Sequence, residues 1–445
     1  FTLNYQLSYT DRQGKVTVGP DSNIAVRLPQ EKFERIDNPY ALWASSNEVT
    51  DPKMFYGRDQ LVNELKNLFQ LPGQRKMVVI HGQKRAGKSS VLYHVKRLID
   101  NQDSQPDGVV VCAFKMSIGD VITSFSLANF FYVLARELYR AAKGKVASLA
   151  ISQELQRPTL NDFRDDPFNR FLEFTEILLE ALESKVDMPI NLLMIIDEFT
   201  YLYDMIQKGE LNQNFMKAWK ALVERRLFSF LLCGIDEMPE FVDAYANEFA
   251  VADLRRVSYL EPQWSRHLIE DPIRDQQTQT SRFQEIAISR IQELTGNSAY
   301  YIQIFNNQLV EYMNEENTGY ITEADIDSVA RRLTYGRNTL DLAQNFDNLT
   351  RFKNNADDTT EVQIEGKLLR LIAFLTKNEE FARQDSILRR FPENEHEVVE
   401  RLIYRLIDRE VLKAQAGSQR YAFVVGIFKE WLNTNLPYEE ELGRE

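Results

Sequence analysis

The chain has 445 residues, which at roughly 150 residues per domain allows about three domains and excludes a single small module. Hydrophobic residues make up 44% of the sequence and charged residues 27%, a composition typical of folded globular proteins. Lysine and arginine number 53 against 66 aspartates and glutamates, so the net charge of −13 disfavours DNA, RNA and anionic lipid as partners unless a local basic patch exists.

The distribution of apolar and metal-ligating residues excludes further classes of protein. No run is long enough to span a bilayer, so we expect a protein that is not integral to a membrane. The two cysteines, Cys112 and Cys233, lie in apolar, strand-like runs, which indicates buried thiols and a cytoplasmic location. The four histidines show no ligand spacing, which argues against a zinc site.

The N-terminal segment has the pattern of a small β-sheet. Residues 1–9 alternate between apolar and polar side chains, which predicts a half-buried strand, and alternation returns at residues 16–28 after a turn. Two or three strands are marginal alone, so we favour the end of a larger β domain over a hairpin packed on the next domain. The chain begins with Phe1 and carries no signal segment, so we expect a piece of a longer protein with an effector or sensor upstream.

A phosphate-binding loop is the most specific motif. Residues 77–90 read MVVIHGQKRAGKSS, with Gly82, Gly87, Lys88 and Ser89 in the places that the P-loop pattern requires. The glycines let backbone N–H groups point at phosphate oxygens, Lys88 adds a cation, and the Ser89 hydroxyl ligates Mg²⁺. A strand precedes the loop and an amphipathic helix follows it. The residues predicted to bind ATP or ADP here are Gly82, Gln83, Lys84, Arg85, Ala86, Gly87, Lys88, Ser89 and Ser90.

An acidic strand end supplies the second half of the predicted site. Residues 191–198 read NLLMIIDE and are apolar up to the last two positions. Asp197 is placed to hold Mg²⁺ through water, and Glu198 to orient or deprotonate the attacking water. We therefore predict a Mg²⁺-dependent ATPase with Lys88, Asp197 and Glu198 as catalytic residues, and with Ser89 and Asp197 at the metal.

The strands and helices around these motifs alternate along the chain. Apolar runs at 109–114, 228–234 and 256–260 are separated by helical stretches, which are predicted at 125–143, 167–185 and 214–225. This alternation predicts an α/β fold with a parallel sheet that helices cover on both faces.

Several motifs together resemble a known family. The segments NPY at 38–40, MFYGR at 54–58, the P-loop, LLMIIDEF, and GNSAYYIQ at 296–303 resemble the STAND-type signal-transduction ATPases and the archaeal ATPases near them. These belong to the AAA+-like branch that includes the origin-recognition ATPases. The resemblance implies base-side contacts from Tyr56, Gly57 and Arg58, and a helical lid over the nucleotide. Asp236 departs from the small polar sensor residue that is common after the fourth strand.

Candidates for an arginine finger come from two pairs. Transition-state charge on the γ-phosphate is commonly neutralised by an arginine of the same or a neighbouring subunit. Arg255 and Arg256, just before the predicted fifth strand, occupy the place where AAA+-like proteins carry it. Arg225 and Arg226 are the second choice, and either pair is equally compatible with a solvated helix end.

The C-terminal region predicts a winged helix: three amphipathic helices after residue 365 and a hairpin at 411–424. A winged helix that binds DNA has basic residues on the exposed face of its third helix. Here that helix opens with Glu393, Glu395, Glu397 and Glu400, and residues 361–445 hold 13 basic against 16 acidic residues. We therefore favour an intramolecular clamp or protein contact over DNA binding.

These predictions divide the chain into a β segment (1–37), a P-loop core (38–262), a helical lid (263–335), a linker (336–364) and a winged-helix domain (365–445). The resemblance implies an ATP-hydrolysing regulatory switch, in which nucleotide closes core and lid and the closed form self-associates, in prokaryotic signalling or antiviral defence. The alternative is a DNA-associated AAA+-like ATPase of replication or transposition. A P-loop kinase or motor is a third possibility, without a substrate motif in its favour.

Overall fold

The computed structural model describes residues 2–6, 8–10, 13–19, 22–25, 33–44, 48–101, 109–145, 156–184, 187–212, 214–336, 339–354 and 359–439. At the N-terminus, β1 (Thr2–Tyr5) pairs antiparallel with β4 (Ser22–Ala25), and β2 (Ser8–Thr10) with β3 (Val16–Val18). The predicted half-burial is wrong for the inner hairpin: Tyr9 is 66% exposed, since two strands leave both faces in solvent. The predicted strand positions Phe1, Leu7, Val26 and Leu28 lie outside the described residues.

The central domain is a five-stranded parallel sheet with helices on both faces, as predicted. Its elements in chain order are α1 (Asp59–Phe69), β5 (Met77–His81), α2 (Lys88–Asp100), β6 (Val110–Ser117), α3 (Leu127–Lys145), α4 (Pro167–Glu183), β7 (Ile190–Asp197), α5 (Thr200–Gln207), α6 (Asn214–Glu224), β8 (Phe228–Cys233), α7 (Met238–Ala244) and β9 (Ala252–Arg256). The strands are ordered β6-β7-β8-β5-β9 and every pairing is parallel.

Alternate residues of the inner strands build two separate cores. Val78 and Ile80 of β5 pack in a cluster with Val91 and Leu92 of α2. Met77 and Val79 point to the other face, into a cluster that includes Phe130, Phe171 and Trp219. Because both faces are covered, all eight residues of β7 are buried, and its carboxyl end reaches the loop edge of the sheet.

The predicted position of the fifth strand is wrong. The strand spans Ala252–Arg256, whereas the run predicted for it, 256–260, overlaps it only at Arg256. The reason is its place at the sheet edge: four of its five residues are exposed, so it lacks the apolar pattern of a buried strand. Arg255 and Arg256 therefore end the strand rather than precede it.

Helices form the lid and the linker. The lid consists of α8 (Pro262–Glu270), α9 (Glu285–Thr295), α10 (Ala299–Glu316) and α11 (Glu323–Thr334). In its described residues 339–354, the predicted linker contains a short helix, α12 (Leu342–Asn345), which the sequence did not predict. Phe346 and Leu349, which follow it, are fully buried, so this part of the linker is packed and not a loose tether.

The C-terminal part has the winged-helix order. It comprises α13 (Thr360–Leu375), β10 (Ala382–Arg383), α14 (Gln384–Leu388), α15 (His396–Asp408), β11 (Leu412–Ala414), β12 (Arg420–Phe423) and α16 (Gly426–Asn435). The first helix begins five residues before the predicted boundary, and α16 was not predicted.

The lid and the winged helix share one hydrophobic core. The Trp431 indole N–H donates to the Leu340 carbonyl oxygen at 2.6 Å, and a Cβ on Gly296 would lie 2.5 Å from the Val424 carbonyl oxygen. The two parts are therefore packed against each other. Within the described residues, no helix is long and apolar enough to cross a membrane.

Candidate functional site

The P-loop lies between β5, the strand next to the edge strand β9, and the N-terminus of α2. Gly82 has φ +146°, and a Cβ there would lie 2.2 Å from the Val257 carbonyl oxygen, so only glycine fits where β5 passes the exit of β9. Gly87, at φ +92°, caps α2 and turns its free backbone N–H groups towards the loop. The loop therefore has the geometry that anion binding at a helix N-terminus requires.

Lys88 lies along the loop. Its side chain is 8% exposed, and its Nζ donates to the carbonyl oxygens of Gly82 at 2.9 Å and Gln83 at 2.7 Å. Burial lowers the pKa of Lys88, and the nearby carboxylates of Asp236 and Asp197 oppose that shift. The loop carbonyls thus hold a cation where phosphate oxygens would sit.

Ser89 and Asp197 supply oxygen ligands at one cavity of about 630 Å³ at the carboxyl edge of the sheet. Asp197 ends β7 and is 7% exposed. A hydroxyl and a carboxylate suit Mg²⁺, which takes one or two protein groups and completes its shell with phosphates and waters. The described residues contain no cluster of three or more His, Cys, Asp and Glu side chains, so an all-protein metal cage is absent from them. The donor set fits Mg²⁺ carried by a nucleotide.

Lys115 is a second cation at this edge, which the sequence analysis missed. Its Nζ lies 2.8 Å from Glu48 Oε2 and 3.9 Å from Asp197 Oδ2. The strand β6 that carries it extends past the predicted end at Phe114 to Ser117, which pairs in register with Asp197. Recognising the full length of this strand would have predicted both Lys115 and Ser117 at the site.

Glu198 lies at the rim of the same cavity with an unusual backbone. Its φ is +56°, and its own N–H donates to Asp197 Oδ1 at 2.9 Å. The Ser117 hydroxyl donates to Glu198 Oε2, and a Cβ on Gly119 would lie 2.4 Å from that oxygen. The carboxylate is therefore held by the end of β6, exposed and within the cavity lining.

Three side chains of the loop contact the lid, the linker and the winged helix. Gln83 is 1% exposed: its Nε2 donates to the Arg409 carbonyl oxygen at 2.9 Å, and its Oε1 accepts from the Tyr259 hydroxyl. Lys84 forms an ion pair with Asp347 at 2.5 Å. These residues were predicted to contact nucleotide, and in the structure their side chains have protein partners.

Arg85 is the most heavily bonded residue of the loop. Its Nη1 donates to the Tyr300 hydroxyl at 2.8 Å and to the Asn345 carbonyl oxygen at 3.0 Å, and its Nη2 lies 3.1 Å from Asp347 Oδ1. Its guanidinium also lies 4.4 Å from the centre of the Tyr300 ring. The P-loop is thereby joined to the lid and to the linker.

The predicted base-side residues do not line the cavity. A Cβ on Gly57 would lie 2.7 Å from the Trp264 ring, and the Tyr56 ring stacks on His267 with centroids 6.4 Å apart. Arg58 Nη2 donates to the Ser258 carbonyl oxygen, and burial lowers its pKa against the opposing effect of Glu410 and Glu261. These three residues thus pack against α8 and the exit of β9.

The two candidate finger arginines point in opposite directions, because successive residues of a strand alternate. Arg255 is paired with Asp253 of its own strand at 2.9 Å. Arg256 donates to the Asp408 carbonyl oxygen, and its guanidinium lies 3.5 Å from the Asp408 carboxylate and 4.0 Å from that of Glu410. Arg256 thus contacts the winged helix.

Asp236 of the core also lies near Arg256, with its Oδ1 3.9 Å from Arg256 Nη2. Burial raises the pKa of Asp236 to about 6, and the positive charges of Arg256 and Lys88 oppose the shift. The second-choice arginines lie elsewhere: Arg226 is near the starts of β5 and β8, at the opposite end of the sheet from the P-loop, and Arg225 precedes it in the chain.

This sheet order, loop and acidic strand end define a P-loop NTPase. The sequence model of the family described as Novel STAND NTPase 1, nSTAND1, matches residues 44–434, and the chain belongs to that family. No curated protein sequence matches the chain.

Among solved structures, the chain is similar to the Walker-type ATPase PABY2304 of Pyrococcus abyssi, with 13% identity, a TM-score of 0.55, and coverage of 88% of this chain and 99% of that one. A structure of Drosophila ORC bound to DNA gives 10% identity, a TM-score of 0.43 and coverage of 92% and 95%. The Aeropyrum pernix ORC1 protein in complex with DNA is 11% identical, with a TM-score of 0.39 and coverage of 86% of this chain and 94% of that one. At these identities the first similarity supports the fold alone.

Proposed function

We propose that this protein is an ATP-binding and ATP-hydrolysing regulatory switch whose winged helix acts as an intramolecular clamp on the nucleotide site. The observation that carries the proposal is that linker and winged helix bond to the phosphate-binding loop itself, through Gln83, Lys84 and Arg85. A ligand in that loop therefore competes with, or adds to, the contacts that hold the domains together.

The direction of the coupling follows from the charges. Lys84 and Arg85 both pair with Asp347, which is one carboxylate for two cations. A triphosphate in the loop brings further negative charge to the same cations and weakens their attachment to the linker. We infer that ATP favours release of the clamp more than ADP does, because ADP lacks the γ-phosphate charge.

The hydrolytic roles follow from the positions of the side chains. Lys88 neutralises phosphate charge from the floor of the loop, and Ser89 and Asp197 would hold Mg²⁺, which would supply further positive charge against the phosphates. Glu198 accepts a proton from, or orients, the attacking water at the cavity rim, and Ser117 fixes its carboxylate. Hydrolysis then removes the γ-phosphate and lets the clamp return.

Release of the clamp also frees Arg256. In the docked arrangement it pairs with Asp408 and Glu410 of the winged helix, and Asp236 of the core, 3.9 Å away, remains beside it after release. Once released, the arginine at the exposed edge strand β9 becomes available to a neighbouring subunit, which is where an arginine finger in trans would act. Nucleotide-dependent self-association, with an effector or sensor on the same chain or on a partner protein, is the output that we propose. A role in prokaryotic signalling or antiviral defence comes from the family resemblance.

The alternative, a DNA-associated ATPase, has less support. Arg401 and Arg405 of α15, the helix that would enter a groove, both pair with Glu361, at 3.5 Å and 2.5 Å. The exposed start of this helix is acidic. DNA binding would therefore have to break these pairs and overcome repulsion by the glutamates.

Nucleotide turnover by two variants tests the proposal. Lys88→Ala should abolish ATP binding, because the loop loses its buried cation. Glu198→Gln should bind Mg·ATP with the affinity of the parent and lose turnover about 100-fold or more, because the water loses its base. The measurements are equilibrium binding and phosphate release with and without Mg²⁺. Equal turnover by Glu198→Gln and the parent would remove this residue from the mechanism.

A further inference from the structure

A buried amide on the lid faces the nucleotide cavity without a bonding partner. Gln303 of α10 is 4% exposed and lines the cavity together with Lys88 and Asp197. Among the described residues, no hydrogen bond is found for its side chain, whereas Tyr300 and Tyr301 of the same helix are both bonded. The amide faces the cavity with its bonding groups unused, so the arrangement suits a ligand that completes its bonds.

The cavity has more lining than the phosphates need. Phosphate oxygens belong at the backbone N–H groups of the loop and at Lys88, near Asp197 and Glu198. Other parts of the lining come from residues 200–201 and 233–235 after β7 and β8, from Tyr300 of the lid, and from Trp43, Glu48, Val49, Ala299 and Gln303. This is space for the ribose and the base of a nucleotide.

The segment that carries Glu48 and Val49 is fixed against the P-loop helix α2. The Val49 N–H donates to Ser90 Oγ at 2.9 Å, and the Val49 carbonyl oxygen lies 3.0 Å from a ring nitrogen of His94. Both partners are on α2, next to the metal-binding Ser89. The part of the cavity wall around Val49 is thus attached to the helix that follows the phosphate-binding loop.

We propose that Gln303 reads the edge of the bound base and selects adenine, with the Trp43 ring against the face of the base. The assignment rests on the proposed nucleotide-binding function. A glutamine amide offers a donor beside an acceptor, which matches the amino group and adjacent ring nitrogen of adenine. The Glu48 carboxylate, which would favour the N–H groups of guanine, is held by Lys115 at 2.8 Å. Aromatic side chains stack on any base.

The assignment has a consequence for closure. Gln303 belongs to the lid, whereas Trp43 precedes the core strands and Lys88 belongs to the core. A bound adenine therefore bridges lid and core through Gln303, a contact that a ligand without the base does not make. Base recognition and lid position become coupled.

The test compares three ligands in the full chain: Mg·ATP, Mg·GTP and inorganic tripolyphosphate with Mg²⁺. Gln303→Leu should weaken ATP binding about 10- to 100-fold and abolish preference over GTP, with tripolyphosphate unchanged, because only the base contact is lost. Gln303→Glu, which keeps the shape and loses the donor, should also weaken ATP. Trp43→Ala should weaken ATP and GTP alike.

Gln308→Leu is the matched control. It makes the same chemical change on the same helix, where Gln308 bonds to Glu311 outside the cavity, and it should bind all three ligands as the parent does. Parent-like ATP affinity in both Gln303 variants overturns the assignment, as does an equal loss of ATP and tripolyphosphate. If the parent binds neither Mg·ATP nor tripolyphosphate, the proposed nucleotide-binding function fails, and the base assignment fails with it.

Discussion

The contact between Arg256 and the winged helix gives the sharpest mutational prediction. Replacing Arg256 by alanine removes the bond to the Asp408 carbonyl oxygen and the ion pairs with Asp408 and Glu410. The change leaves the P-loop, the metal ligands and the cavity lining intact. It therefore acts on domain docking and not directly on nucleotide contacts.

The expected loss of docking free energy follows from the solvent exposure of the paired side chains. The Arg256 side chain is 34% exposed and that of Asp408 75%, so each ion pair contributes only about 0.2–1 kcal/mol. The hydrogen bond to the carbonyl oxygen adds about 1 kcal/mol. After solvent screening we expect docking to weaken by about 1–2 kcal/mol, which raises the population of the released form about 5- to 30-fold.

Distance measurement between spin labels can detect this shift. Both native cysteines are 1% exposed, so labels attach selectively to cysteines introduced at exposed sites. Glu224→Cys on the core and Tyr404→Cys on α15 provide such a pair, with side chains that are 67% and 72% exposed. In Arg256→Ala, a second distance population should grow at the expense of the docked one.

Arg255→Ala is the matched control, because Arg255 pairs with Asp253 within β9 and its removal should leave the distances unchanged. Unchanged distances in Arg256→Ala, or equal shifts in both variants, would refute the assignment of Arg256 to the docking contact.

Three further predictions concern stability and DNA. Asp236 has a folded pKa of about 6 against 3.8 for its ordinary value, so its contribution to stability is present at low pH and is lost as pH rises through 6. Asp236→Asn should therefore raise the free energy of unfolding at pH 8 by up to about 3 kcal/mol and at pH 5 by only about half as much, measured by denaturant titration; equal effects at both pH values would contradict the burial argument. Gly82→Ala should destabilise the chain by about 3 kcal/mol or more, because its Cβ meets a backbone oxygen, whereas Gly417→Ala, with positive φ and open space, should cost about 1 kcal/mol. A comparable cost for both would show that crowding by Val257 is unimportant. Finally, the full chain should show no salt-dependent affinity for duplex DNA; a steep salt slope would favour the DNA-associated alternative.

The core of the site was predictable because its signals are short-range. The P-loop spacing and the acidic end of β7 each lie within a dozen residues, and buried parallel strands have continuous apolar runs. The structure brings Lys88, Ser89, Asp197 and Glu198 to one cavity, as expected. The class of fold and the winged helix were predicted from the alternation and spacing of apolar residues, whereas the lid was implied by the family resemblance.

The rest depends on contacts between distant parts of the chain. Strand β9 was not predicted at its true position because an exposed edge strand has no buried face and therefore no regular pattern of apolar residues. Arg256 meets Asp408 across 152 positions, and Gln83 meets Arg409 across 326, so no local pattern encodes these bonds. Tyr56, Gly57 and Arg58 were placed by resemblance, and their packing against Trp264 and Ser258 became visible only in three dimensions.

The central claim is that the nucleotide in the P-loop controls the docking of the winged helix. The most direct measurement records the distance between labels at Glu224→Cys and Tyr404→Cys in the full chain with Mg·ADP and with a non-hydrolysable Mg·ATP analogue. The account predicts that the triphosphate raises the released population above its level with ADP, and that Lys88→Ala abolishes the difference. Identical distance distributions with the two nucleotides, at saturation of both, would contradict it.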